Sequence, residues 1–156
     1  MSAANRSQFV YVTYIRTTPE KLWVALTDQE FMKQYWFGCV AKSLWTAGAR
    51  WELVSRDGEV FDSGEIVEAE PPRRLVIRWH HQNKPELKAE GNSICSMELT
   101  PIGPAVKLSI THSMEREPSK LIESVSGGWP KIISNLKSLL ETGSLALLEA
   151  YPTSGD

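Results

Sequence analysis

The three histidines and two cysteines of this 156-residue sequence are the side chains best suited to proton transfer or metal binding. His112 alternates with Ile110 and Leu108, which places it on the inward, apolar face of a strand. Histidine titrates near neutral pH, so His112 is the leading candidate for an acid or base in a pocket. The plainer reading makes it a polar core residue hydrogen-bonded to a Tyr or Ser. His81 and Cys95 take the inward parity of their own strands, and three such donors could hold zinc. His80 and His81 cannot chelate together, because neighbouring strand residues face opposite ways. Cys39 and Cys95 form no CxxC pattern and read as free, buried thiols. Glu68 shares the parity of Ile66 and is either a second inward acid or a solvated strand end. No G-x-S-x-G elbow, P-loop or dinucleotide fingerprint is present, so hydrolase or cyclase chemistry has no visible machinery.

Aromatic residues are the second resource. Trp23, Phe31, Tyr35, Trp36, Trp51, Trp79 and Trp129 would line an apolar cavity of the kind that takes small molecules, or else form a plain aromatic core. Gly127 and Gly128 precede Trp129; they leave room for a pocket mouth, or mark close packing or a kink.

These residues need elements to position them. Trp129, Ile132, Ile133, Leu136, Leu139 and Leu140 recur at helical spacing and draw one apolar stripe over 127–140. Lys131, Ser134, Asn135, Lys137 and Ser138 form the opposite, wet side. Pro130 is read in the first turn, Gly143 as a left-handed cap, and Glu117-Pro118-Ser119 as the opening of the wider helical region. Upstream the chain reads as strand. Residues 8–16 are apolar on both faces, which predicts a cover of the outer face by another segment or subunit. Thr18-Pro19 caps a short helix bearing Leu22, Trp23 and Leu26; Asp28 caps a second with Phe31, Met32 and Tyr35, ended by Gly38. A meander follows, with strands at 50–55, 60–70, 73–81, 92–100 and 106–113 and a polar loop at 82–91. The apolar tail 144–151 is read as folding back on the sheet or meeting a second subunit.

This order resembles the SRPBCC superfamily, also called START-like or helix-grip, and within it the homologues of the activator of heat-shock-protein-90 ATPase. Thr18-Pro19-Glu20-Lys21-Leu22-Trp23 is similar to the family's first-helix start. Asp57-Gly58, Gly64-Glu65-Ile66-Val67-Glu68 and Pro71-Pro72-Arg73-Arg74-Leu75 resemble its DG, GEV and PPRRL strand pair, with Trp79 ending the second strand. Leu99-Thr100-Pro101, His112, Gly128-Trp129 and Leu136-Lys137 resemble its closing motifs. The resemblance implies an α+β helix-grip fold, a curved antiparallel sheet of about six strands around a long C-terminal helix, with two short helices after the first strand. It covers roughly residues 8–142, so 1–156 is read as a single domain with a tail at 143–156. With the family's sheet order, His81 and His112 end at one side of the sheet, two strand spacings or roughly 10 Å apart. No family motif supports a metal, and none is assigned.

The expected function is binding of a small apolar or amphipathic molecule between sheet and helix, with no catalytic residue and no cofactor. The ligand-binding set is Trp23, Phe31, Tyr35, Trp36, Trp51, Ile77, Trp79, Met97, Ile110, His112, Gly128, Trp129 and Ile132. The alternatives are a cyclase- or hydratase-like enzyme using His112, and a co-chaperone-like interaction domain with a chaperone partner. A homodimer follows from the doubly apolar first strand. The net charge of −2, without a Lys/Arg cluster, argues against nucleic acid. No apolar run reaches the ~20 residues that span a bilayer, and MSAANRSQ has no apolar signal core, so a cytoplasmic protein is expected.

Overall fold

The structure, a computed structural model, describes residues 6–148. Strand β1 (Ser7–Ile15) leads into helices α1 (Pro19–Thr27) and α2 (Gln29–Tyr35), and then into β2 (Val40–Ser43) and β3 (Arg50–Val54). Next come β4 (Val60–Glu70), β5 (Arg74–His81), a single helical turn α3 (Pro85–Lys88), β6 (Asn92–Ile102), β7 (Ala105–Met114) and helix α4 (Lys120–Thr142). All strands pair antiparallel in one seven-stranded sheet of order β1-β7-β6-β5-β4-β3-β2. The sheet curves around α4, as the helix-grip expectation required. The strand beyond the expected six is β2, whose four residues are too short to show a period.

The caps fall where the sequence puts them. Thr18 Oγ1 accepts from the Lys21 N–H at 3.2 Å and Asp28 Oδ2 from the Phe31 N–H at 3.0 Å, each satisfying a donor the first turn leaves over. Gly143 closes α4 at φ 83, its N–H reaching the Leu139 carbonyl.

Helix α4 opens at Glu117-Pro118-Ser119 as expected, but Pro130 is not in its first turn. It begins at Lys120, capped by Ser119, so its 23 residues extend about 35 Å and Pro130 lies inside it. Leu121, Ile122 and Val125 continue the apolar stripe through the glycine pair, and that continued burial is what holds the helix together there.

Asn135 is a second correction, being fully buried although read on the wet side. The chain after Gly143 turns back over α4: Asn135 Nδ2 donates to the Leu147 carbonyl at 2.9 Å and its Oδ1 accepts from the Leu147 N–H. The tail is therefore tied to the helix, and Leu145 packs against the main core; the rest of the expected segment, 149–151, lies outside the described residues. Glu68 is a third. The β4–β5 register shifts between Ile66 and Glu68, which breaks the alternation and sets Glu68 opposite Val76, within reach of Arg74 at 3.1 Å.

On β1, Phe9, Tyr11 and Ile15 pack inward, while Val10, Val12 and Tyr14 stay exposed. No described segment covers them.

Candidate functional site

Between the sheet and the N-terminal half of α4 lies a cavity of about 350 Å³. Its floor is Leu53 of β3, Phe61 and Asp62 of β4, and Trp79 and His81 of β5. The chain leaving α2 supplies Trp36, Phe37 and Cys39, and α3 supplies Leu87. From α4 come Leu121, Ser124, Val125, Gly128, Trp129, Lys131 and Ile132. A Cβ built on Gly128 or Gly127 would meet nothing within 4 Å. The glycine pair therefore marks open space rather than close packing. Phe37 reaches the wall with φ 51, followed by Gly38 at φ 89; a bulky residue in the left-handed region carries backbone strain at the cavity edge.

Glu90, just past α3, fixes the start of α4. Its carboxylate accepts from the Ser119 hydroxyl and from the Lys120 and Leu121 N–H groups, so the start of α4 is tied to the loop that carries Leu87. Burial alone would raise the Glu90 carboxyl. The donors from Lys120, Ser119 and Leu121, with the nearby Arg116 charge, outweigh it and hold the group below the usual carboxylate range.

Two polar arrangements flank Trp79. On the cavity side, Asp62 is buried and its Oδ1 accepts from the Trp79 indole N–H at 2.8 Å and from His81 Nδ1 at 2.7 Å. The Nε2 atom of His81 is buried with no partner among the described residues. On the core side is His112, fully buried. The Trp129 indole can only donate, so His112 Nδ1, 3.2 Å away, must be the acceptor. Neutral His112 then carries its proton on Nε2 and donates to Ser93 Oγ at 2.8 Å, and Ser93 in turn donates to the Trp79 carbonyl at 3.2 Å. The direction of every bond in the chain is thereby fixed. Burial pushes His112 down to about 3, so it is neutral at physiological pH with both nitrogens occupied. This is the core-histidine reading, with Ser93 and Trp129 as partners.

Of the residues expected at the site, Trp36, Trp79, Gly128, Trp129 and Ile132 line the cavity together. His112 lies behind Trp79 and Trp129, with ring centroids 5.0 and 6.3 Å from theirs. Trp51, Ile77 and Met97 surround a separate void of only about 10 Å³. Tyr35 is buried, its hydroxyl donating to the Ala25 carbonyl, and Ile110 is fully enclosed in the core. Trp23 and Phe31 pack at the core margin, Phe31 beside a shallow hollow with Val24 and Leu140. The zinc geometry also fails. Cys95 stands opposite both His112 and Ile77, whereas His81 is four residues further along β5, about 13 Å.

Asp62, His81, Cys39, Ser124 and Lys131 line the wall outside the expected set. Asp62 was legible: it shares the β4 face of Gly64 and Ile66 by alternation, and an acid at such a position signals a partner. Cys39, in irregular chain between α2 and β2, offered no period to read. Burial and then the Asp62 charge raise its thiol, which Arg56 only partly offsets.

A curved antiparallel sheet gripping one long helix, with a cavity at the helix's N-terminal half, defines a helix-grip protein of the SRPBCC type. Residues 16–141 match the family described as Activator of Hsp90 ATPase homolog 1-like protein, and the chain belongs to that family. No curated protein matches it. Among solved structures, a protein of Mesorhizobium loti is 25% identical, covering 89% of this chain and 100% of its own, with TM-score 0.74. The Aha1 dimer of Colwellia psychrerythraea is 21% identical over 88% of this chain and 98% of its own, TM-score 0.70. CalU16 of Micromonospora echinospora is 22% identical over 87% and 77%, TM-score 0.69. The latter two likenesses show the shared fold. No helix among the described residues is long and apolar enough to cross a membrane.

Proposed function

We propose that the protein binds a small apolar or amphipathic molecule in the cavity under the N-terminal half of α4. The observation that carries this reading is the space itself: about 350 Å³ walled mainly by Trp36, Leu53, Phe61, Val125 and Trp129, with Gly128 leaving its side of the helix open. Volumes of this size and lining take small organic ligands. His112 supports binding over catalysis, because a neutral imidazole with both nitrogens engaged has no proton to exchange with a ligand.

The test fills the space. Gly128→Leu adds a side chain where the backbone has room, so the fold is retained while the cavity closes. With the fluorescent probe N-phenyl-1-naphthylamine, wild-type protein is expected to bind and Gly128→Leu to lose at least about tenfold in affinity. Gly127→Ala, at an exposed position, is the control with unchanged binding. Absence of probe binding to the wild type, or equal binding to both, overturns the reading.

A second copy of the chain is the partner that β1 favours. Val10, Val12 and Tyr14 stand exposed on an edge strand, and the Colwellia psychrerythraea relative is a dimer. Sedimentation equilibrium is expected to give twice the monomer mass, and Val12→Lys to return the monomer. A wild-type monomer at micromolar concentration overturns it.

A further inference from the structure

His81 and Asp62 give the cavity a chemical preference. Asp62 Oδ1 lies 2.7 Å from His81 Nδ1 and also takes the Trp79 N–H at 2.8 Å, so Nδ1 is the protonated nitrogen and the ring is fixed in one orientation. In the neutral ring the remaining nitrogen, Nε2, is an acceptor; it is buried and unpartnered among the described residues, on a side chain that lines the cavity. A buried acceptor without a donor is costly, and few native structures leave one unexplained. Phe61, Leu53, Trp79 and Leu87 in the cavity wall have no side-chain donor to give it, and the polar lining residues Ser124 and Lys131 of α4 do not bond it either.

We infer that His81, positioned by Asp62, is the polar anchor of the cavity and that the ligand is an aromatic or otherwise flat apolar molecule bearing a weakly acidic hydroxyl, such as a phenol. The hydroxyl donates to Nε2, and its proton is shared with the imidazole while Asp62 holds the Nδ1 proton on the far side. The apolar body of the ligand occupies the space beside Trp36, Trp129 and Gly128. A site built around an acceptor discriminates strongly against an analogue that lacks the donor, because the acceptor then stays unpaired. This inference rests on the cavity being the binding site.

Calorimetry with 2-naphthol and 2-methoxynaphthalene separates the two claims, since the pair differs in the donor and little in the apolar body. Wild-type protein is expected to prefer 2-naphthol by about tenfold or more. His81→Leu is expected to bind both compounds alike. Asp62→Asn, which can donate to Nδ1 and so move the ring proton to Nε2, is expected to lose the preference while still binding the ether. The ring nitrogen signals of His81 in a ¹⁵N NMR spectrum report that change of tautomer, which a merely structural role for Asp62 would not produce. Equal affinities in the wild type, or a preference that survives His81→Leu, overturn the anchor and leave the cavity reading intact. Failure of both compounds to bind overturns the cavity reading and the anchor with it.

Discussion

Gly64→Ala is expected to destabilise the protein by at least about 3 kcal/mol, or to prevent folding, although it adds a single methyl group. A Cβ at this position would lie 1.7 Å from the Arg78 carbonyl oxygen and 2.8 Å from its carbon, both atoms of the β5 backbone. Side-chain overpacking is relieved by rotamer changes at about 1–3 kcal/mol, but here the two strands themselves would have to part. The position has a further role. Gly64 stands opposite Trp51 on β3 and opposite Trp79 on β5, so the absent side chain lets the two indoles meet above it, ring centroids 4.5 Å apart. Trp79 then donates to Asp62 and accepts from Ser93, which makes it the support of both polar arrangements. Urea denaturation of the purified variant measures the effect. A midpoint equal to that of the wild type would show that β4 and β5 separate freely, and would remove this account of the floor.

The second large effect is expected at His112, and it is one of pH. In the folded protein burial holds the imidazole at about 3, against the ordinary 6.5. The unfolded chain therefore binds the extra proton first as pH falls. The stability tied to the neutral imidazole is complete above about pH 6.5 and is lost progressively down to about 3, at up to about 1.4 kcal/mol per pH unit. His112→Gln offers one acceptor for the Trp129 N–H and one donor for Ser93 without a titrating group. Its stability relative to the wild type is expected to rise steadily across that window, as the wild type alone pays the protonation penalty. Chemical denaturation at a series of pH values gives the difference directly. A difference independent of pH between 6.5 and 3 would show that His112 takes up its proton without unfolding. His112→Leu leaves the Trp129 N–H and Ser93 unpartnered, and is expected to cost about 2–4 kcal/mol at pH 7.

The grip of sheet on helix was open to reading because periodicity and caps are local signals. Thr18, Asp28 and Gly143 end their elements where their chemistry says, and the aromatic and β-branched runs became strands. Tertiary burial overrode local rules elsewhere. Pro130 suits a first turn, yet the stripe of Leu121, Ile122 and Val125 carries the helix past it. Asn135 is polar and suits a wet face, but a returning segment buries it. Glu68 follows a strict alternation only until the bulge. The candidate site was half visible. Gly128, Trp129, Trp36, Trp79 and Ile132 converge on the cavity. Trp51 and Ile77 share the inward parity of β3 and β5 but sit two residues before the lining Leu53 and Trp79, and Met97 and Ile110 belong to β6 and β7, which line none of it. Parity tells which face a residue takes and not which part of that face lies beneath the helix. That same limit concealed the difference between His112, sealed behind two indoles, and His81, whose ring borders the open space.

The junction of Asn135 with Leu147 has a consequence for how such a chain can change over generations. Two bonds join a fully buried amide in mid-helix to the main chain of a segment twelve residues later. A leucine at 135 would suit the helix face but strand both backbone groups of Leu147. Loss of the tail would leave the amide only its bond to the Tyr35 carbonyl, at 3.4 Å. Neither alteration is neutral alone, whereas the pair together can be. Helix interior and chain end therefore form one heritable unit, and substitutions there are expected to arrive together or not at all.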